Sequence, residues 1–449
     1  MANFFIKWKS LLIILLLGLF VLILPHFINL INNDNILLNN EFLFNMNIAN
    51  QISHDQFNNN FFILEDENAF LGRDVLINPY QILFSFLKSE FYLIIISIIL
   101  GLFSLILIYL ILKKFDLENQ LINLSLVLLI LSPIFIYTFS LSSKYSMIIF
   151  LFLLGYYFFI DENKYSIIIS VLSFSLLSFF GNLEIFLTIF LLLTYVLITK
   201  KKIKKFIFIL SVILIILISF NLLVLSNLEA TLKPEFIESN FFKDLISDFG
   251  SNIGLGLFKF LISIIGITIL WNKRSENIFL IILFSIIISS FMLYNISYLI
   301  YANFLICYLA AIALNYFINR KWHVEILKNL TLITILSGLL FSSVSYVMVL
   351  TRDSYDDDKI DSLIWLKENK EKGLVLSHFE YGFLINYYSK MPVLMDSYLE
   401  NNLKINNFYR NSNNIFYSQR LTKAIEYLNL IEINYIWITN EMKEGLVWD

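Results

Sequence analysis

Charge is scarce in this chain. Aspartate, glutamate, lysine and arginine make up 15% of its 449 residues, against about 25% in soluble domains. That shortfall excludes an ordinary soluble domain. A net charge of −3 leaves no basic excess for a phosphodiester backbone, so nucleic acid is not an expected partner. Cys307 is the only cysteine, which excludes an internal disulfide. No glycine-rich phosphate cradle, zinc-ligand spacing or nucleophile elbow occurs, so the chemistries built on those motifs are not expected.

What the chain has in excess is apolar runs of about twenty residues, the length that crosses the roughly 30 Å hydrocarbon core as a helix. The spans predicted are Ser10–Leu30, Phe91–Leu112, Leu121–Phe139, Met147–Ile160, Ser166–Phe180 and Ile185–Ile198. They continue with Phe206–Leu225, Leu255–Trp271, Ile278–Tyr294, Leu299–Phe317 and Leu330–Leu350. The expectation is an α-helical polytopic membrane protein with about eleven transmembrane helices. Lys7, Lys9, Lys113, Lys114, Lys164, the Lys200–Lys205 cluster, Lys273, Arg274, Arg320, Lys321 and Lys328 fall in breaks on one side. The positive-inside rule places that side, and the N-terminus, in the cytoplasm. Lys7 and Lys9 precede an apolar run without a small-residue cleavage site, so the first span reads as an uncleaved anchor.

Three polar stretches then fall outside the cell membrane: 31–90, 226–254 and 351–449. The domains expected are a transmembrane region, 1–350, and a small extracytoplasmic α/β domain, 351–449. Transporters keep loops short and place polar groups at mid-bilayer. Here the acids crowd the outer stretches while the spans hold few ionisable groups, so the working surface is expected at the outer face.

In the first outer stretch, Asn40 to Gln56 reads as an interfacial helix, with Phe42, Phe44, Met46 and Ile48 among asparagines. Glu41 stands at its start, where the helix dipole favours a carboxylate by about 0.3–1 kcal/mol. Gly72-Arg73-Asp74 precedes the Asn78-Pro79-Tyr80 turn and a further amphipathic stretch, Tyr80 to Leu87. Arg73 is either a loop cation for Glu65, Asp66 or Glu67, or the partner of an anion. In the last stretch, helices are expected at Asp361–Lys370, Glu380–Tyr388 and Ser418–Leu430. Strands are expected at Gly373–Ser377, Pro392–Met395 and Tyr435–Thr439. Ser377 and Glu380 have the spacing of a capping box, and His378 reads as an ordinary hydrogen-bonded imidazole beside a helix start.

Glu41 to Ala49 resembles the first-loop motif of oligosaccharyltransferase catalytic subunits, membrane glycosyltransferases of the GT-C type. Glu41 stands for the catalytic aspartate of that motif, Phe44-Asn45 matches its Phe-Asn, and Asn47 replaces its arginine. The segment from Gly72-Arg73 to Pro79-Tyr80 is similar to the end of that loop, and Ser132-Pro133 to a following helix. His378-Phe379-Glu380-Tyr381-Gly382 resembles the Trp-Trp-Asp-Tyr-Gly signature that helps recognise the acceptor peptide, with both tryptophans replaced.

The resemblance implies a transferase that takes a sugar or oligosaccharide from a polyprenyl-phosphate-linked donor in the lipid bilayer. It passes the sugar to a protein or glycolipid acceptor on the outer face. Glu41 is then the catalytic base, Arg73 and Lys144 meet the donor phosphate, and Glu380, Tyr381 and Gly382 meet the acceptor. The family's two-acid metal motif falls on Ser140–Tyr145, which holds Lys144 and no acid, so no metal is expected and magnesium or manganese is not favoured. The second outer stretch offers Glu229, Glu235 and Glu238 without selecting one, and Lys233 and Lys243 as further cations, with Arg352 in the third. Two other readings stay open: a non-catalytic relative of the same fold, and a flippase or polymerase for lipid-linked glycans. The family's chains continue beyond the point matching Asp449, so the final domain is expected to be incomplete.

Overall fold

Lipid offers a backbone amide no partner, so an apolar run satisfies its own peptide groups by coiling. The computed structural model describes residues 2–33, 38–54, 63–66, 74–87, 89–163, 165–199, 202–224, 245–249, 254–272, 286, 298–352, 355–397 and 415–446. The chain divides into two compact units. One holds Met1–Ile31, Phe91–Ser219 and Glu238–Asp353; the other holds Asn32–Glu90, Phe220–Ile237 and Ser354–Asp449. The polar stretch after the first apolar run and the C-terminal segment therefore share one unit.

The first unit is built from helices α1 (Ala2–Asn33), α4 (Glu90–Lys114), α5 (Asn119–Ile130), α6 (Pro133–Ser140), α7 (Lys144–Ile160) and α8 (Ser166–Leu177). It continues through α9 (Asn182–Thr199), α10 (Ile203–Val224), α11 (Leu257–Asn272), α12 (Leu299–Asn319) and α13 (Glu325–Arg352). By length and composition, four helices among the described residues are long and apolar enough to cross a membrane: those beginning at Lys9, Glu90, Leu299 and Glu325. A fifth is added if α5 and α6 count as one span. The expected straight span Leu121–Phe139 is in fact this pair, bent by 65°. Pro133 has no amide proton to donate, so the helix breaks before it and restarts with Pro133 in its first turn. Apart from Ile286, the span expected at 278–294 lies outside the described residues.

Polar contacts brace that bend. Lys259, on α11 and 2% exposed, donates to Ser132 Oγ at 2.6 Å and to Asn303 Oδ1 on α12. Ser132 Oγ also donates to Asn303 Oδ1, at 2.9 Å. Asp248 accepts from the Leu257 amide that opens α11, at 2.6 Å, and from Ser342 on α13, at 3.2 Å. Between α11 and α12 the backbones approach so closely that any Cβ on Gly266 would strike the Leu309 carbonyl, the close approach that small residues permit.

At one end of this unit the lysine-rich breaks meet. Lys114 pairs with Asp161 at 2.9 Å. Lys205 donates to the Phe158 carbonyl at 2.6 Å and the Asp161 carbonyl at 3.1 Å, in the last turn of α7 and just beyond it. Cations there complement the negative end of the helix. Lys114 holds the Asp161 carboxyl below its usual range, while burial and then Lys202 lower Lys205 to about 8.

The second unit comprises α2 (Asn40–His54), β1 (Ile63–Glu65), β2 (Asp74–Leu76), α3 (Pro79–Leu87), α14 (Asp357–Asn369), β3 (Val375–Leu376), α15 (Gly382–Ser389), α16 (Leu421–Ile431) and β4 (Tyr435–Ile436). β1 and β2 are antiparallel, with Ile63 opposite Leu76. β3 pairs in parallel with β4, Val375 opposite Tyr435, and Val375 also bridges in parallel to Val393. Pairing is confined to two residues per strand, and the apolar core beneath it is Leu374, Leu376, Leu394, Met395, Ile415 and Ile431.

Lys259→Ala leaves the Ser132 hydroxyl and the Asn303 carboxamide buried without their shared donor. The expected loss is about 1–3 kcal/mol of stability, read as a lower unfolding temperature of the purified protein. An unchanged transition would mean that the bend holds without the lysine.

Candidate active site around the start of helix α2

Helix α2 starts where Asn39 can cap it: the Phe42 amide donates to Asn39 Oδ1 at 2.7 Å. Glu41 lies in the first turn and is half-buried. From Phe42 to Ala49 every residue is buried, asparagines included. The interfacial helix expected from the apolar spacing is therefore corrected: protein packs on it from two sides.

One neighbour is α3. Its first turn carries a reciprocal cap, in which the Gln81 amide donates to Asn78 Oδ1 at 3.0 Å and the Asn78 amide donates to Gln81 Oε1 at 3.1 Å. Pro79 takes the first helical position, where a missing amide proton costs nothing. The Gln81 side chain then donates to Asn45 Oδ1 at 3.1 Å, and Phe84 sets its ring 5.6 Å from that of Phe42. The other neighbour is α15. Asn47 Nδ2 donates to the Phe383 carbonyl at 3.4 Å, and the Phe44 and Phe383 rings lie 5.2 Å apart.

A chain of hydrogen bonds brings the Glu41 end of α2 to the turn before α15. Tyr355 donates to Asn40 Oδ1 at 2.6 Å, Asn40 Nδ2 donates to Ser397 Oγ at 3.3 Å, and Ser397 Oγ donates to the Phe379 carbonyl at 3.4 Å. That turn follows the carboxyl end of β3. The segments paired to β3 lie on its two sides and both follow it in the chain. In open parallel sheets the crevice beyond such a strand is the usual ligand position.

Within the turn the expected capping box does not form. Residues 379–381 make a tight 3-10 turn whose cap position falls on His378, with no side-chain cap bond. Ser377 Oγ points instead to the Met442 sulfur, 3.6 Å away. Glu380 is left with its side chain 53% exposed, 3.8 Å from His378 Nδ1. That imidazole nitrogen is buried without a hydrogen-bond partner, contrary to the ordinary bonded histidine expected. Burial lowers the His378 pKa, and Glu380 opposes part of that effect.

Tyr381 is 7% exposed and donates to Glu441 at 3.4 Å. The same carboxylate pairs with Lys359 at 2.5 Å, and Trp437 meets the Tyr381 ring edge-on at 5.4 Å. Tyr381 thus fixes the turn from inside. Gly382 passes so near Asp396 that a Cβ would sit 2.5 Å from its Cα, so only glycine brings these backbones together.

Two solved structures of the Archaeoglobus fulgidus oligosaccharyltransferase share this architecture. The apo form aligns over 97% of this chain and 70% of its own, with a TM-score of 0.67 and 12% identity. The form tethered to an acceptor peptide containing the NVT sequon gives the same TM-score and identity over 97% and 69%. The fold is that of an archaeal oligosaccharyltransferase. A third structure, archaeal oligosaccharyltransferase AglB with an inhibitory peptide and a dolichol-phosphate, aligns over 98% of this chain with a TM-score of 0.57 at 12% identity. No sequence family pattern and no curated protein matches the chain.

On this oligosaccharyltransferase fold, Glu41, Glu380, Tyr381 and Gly382 fall in one compact unit, joined through Asn40 and Ser397. Lys144 belongs to the other unit. There it opens α7 behind the Ser143 cap, with its ammonium 5.5 Å from the Tyr145 ring. Arg73, Glu229, Glu235, Glu238, Lys233 and Lys243 lie outside the described residues. Among the described residues, no three histidine, cysteine or acidic side chains gather as metal ligands would. Sequence reasoning missed Lys259 and Glu184. An ionisable residue within or just opening a long apolar run was the available signal for both.

Folding lowers the His378 pKa, so the unfolded chain holds this proton more tightly. The stability this contributes is complete above the ordinary imidazole value of 6.5 and is lost as pH falls below it. Between about pH 7.5 and about pH 5.5, the unfolding temperature should drop further in wild type than in His378→Phe. Equal drops in the two proteins would remove His378 from the account.

Proposed function

We propose that this protein is a membrane glycosyltransferase moving a sugar or oligosaccharide from a polyprenyl-phosphate carrier to an acceptor on the outer membrane face. The observation that carries the reading is the hydrogen-bonded link from Asn40, beside Glu41, through Ser397 to the Phe379–Gly382 turn. It ties a half-buried carboxylate to the segment that resembles an acceptor-recognition signature.

In this reading Glu41 takes the proton from the acceptor nucleophile as that atom bonds to the anomeric carbon. The bond from the anomeric carbon to the carrier oxygen breaks, and the phosphate leaves with the electron pair. Arg73 compensates its charge, which makes a separate general acid unnecessary. Glu380 contacts the acceptor from the exposed side of the turn, while Tyr381 and Gly382 hold that turn in place. With His378 and Phe379 where the family has two tryptophans, the acceptor need not be an asparagine sequon. The lysine in the Ser140–Tyr145 loop supports a reaction without a divalent ion.

Purified protein should transfer radiolabelled sugar from polyprenyl-phosphate donors, and Glu41→Gln should lose at least about 100-fold in rate, the scale of a general base. Retained transfer by a folded Glu41→Gln protein would end that assignment. Chelator treatment should leave the wild-type rate unchanged; loss restored by magnesium or manganese would replace the metal-free scheme.

A further inference from the structure

Helix α3 leaves one of its sides uncovered. Tyr80, Gln81 and Phe84 are buried, with Gln81 bonded to Asn45 and the Phe84 ring against that of Phe42. At 3.6 residues per turn, Ile82 and Phe86 share a stripe on the opposite side. There they are 40% and 80% exposed, and the half-buried Leu83 and Leu87 flank them. No residue of α3 is charged. An apolar stripe of this kind needs a covering that water does not provide.

The chain's own connectivity identifies that covering. Only Lys88 and Ser89 separate α3 from α4, a helix long and apolar enough to cross a membrane. From Leu87 to Glu90 the backbone reaches at most about 11 Å, so α3 ends within that distance of the start of α4. Glu90, the first residue of α4, belongs to the second unit and accepts from Tyr387 on α15 at 2.7 Å. The second unit is thereby tied to the point where the chain enters the bilayer. The headgroup zone there is about 5–8 Å deep, the difference between whole bilayer and hydrocarbon core shared over two faces.

We infer that the Ile82–Phe86 stripe docks between lipid headgroups and acyl chains, on the membrane surface where α4 begins. Without charges of its own, α3 is held there by apolar burial and not by attraction to anionic lipid. The interfacial role expected of α2 thus falls to α3. Because α3 packs on α2 at Asn45 and Phe42, docking also sets the depth of Glu41, the neighbour of Phe42 in the chain. The inference stands whether or not the protein transfers sugar.

The test is spin-label accessibility of the full chain in phosphatidylcholine nanodiscs. Cys307→Ser removes the only native thiol and keeps a hydroxyl donor for Asn303, its present partner. On that background Ile82→Cys and Phe86→Cys each carry one nitroxide, so that either position is read with the other side chain intact. Glu368→Cys, exposed on α14, calibrates the aqueous signal. Oxygen, which concentrates in lipid, should relax the labels at 82 and 86 more than the water-soluble nickel chelate does, and the order should reverse at 368. Nickel relaxation exceeding that by oxygen at either 82 or 86 overturns the docking in favour of a solvated face. Weak relaxation by both reagents at either position overturns it in favour of a protein partner.

Discussion

The second unit depends on burying helix α2, a helix of which five residues in fifteen carry a side-chain amide. Phe42, Phe44, Met46 and Ile48 fill apolar space, but Asn45 and Asn47 go inside with them and must find partners there. Gln81 meets Asn45, and the Phe383 carbonyl meets Asn47. Those two bonds favour α3 and α15 as the neighbours of α2, although Asn45 Nδ2 stays buried without a partner. Glu41 takes its position from this packing: it belongs to the first turn of a helix whose next eight residues are buried.

The turn that approaches Glu41 is held by a different principle. Gly382 contributes nothing by contact; it contributes by lacking a side chain, which lets the backbone of Asp396 pass at close range. Tyr381 then locks the turn against Glu441, Lys359 and Trp437. With the turn anchored from within, Glu380 can remain at the surface without a structural duty.

In the first unit polar groups are few, so each one decides local geometry. Lys259 unites three helices at the 65° bend, and lysines of two breaks gather at Asp161 and the end of α7. In water such contacts would contribute little. Inside an apolar bundle an unmet donor or acceptor has no solvent to turn to, and the few available partners become obligatory.

Much of this was legible in the chain itself. Runs of leucine, isoleucine and phenylalanine determined the helices, Glu41 marked the start of α2, and Asn78-Pro79-Tyr80 marked the turn into α3. These are signals between residues a few positions apart, where backbone geometry is set locally. The bracing of the bend at Ser132-Pro133, the burial of Asn45 and Asn47, and the failure of the Ser377–Glu380 box were decided elsewhere. Each depends on a partner distant in sequence: Lys259 and Asn303 for the bend, Gln81 and Phe383 for the asparagines, Met442 for Ser377. A sequence states which groups need partners, but only the packed chain determines which partners arrive, because burial changes the cost of every polar group it encloses.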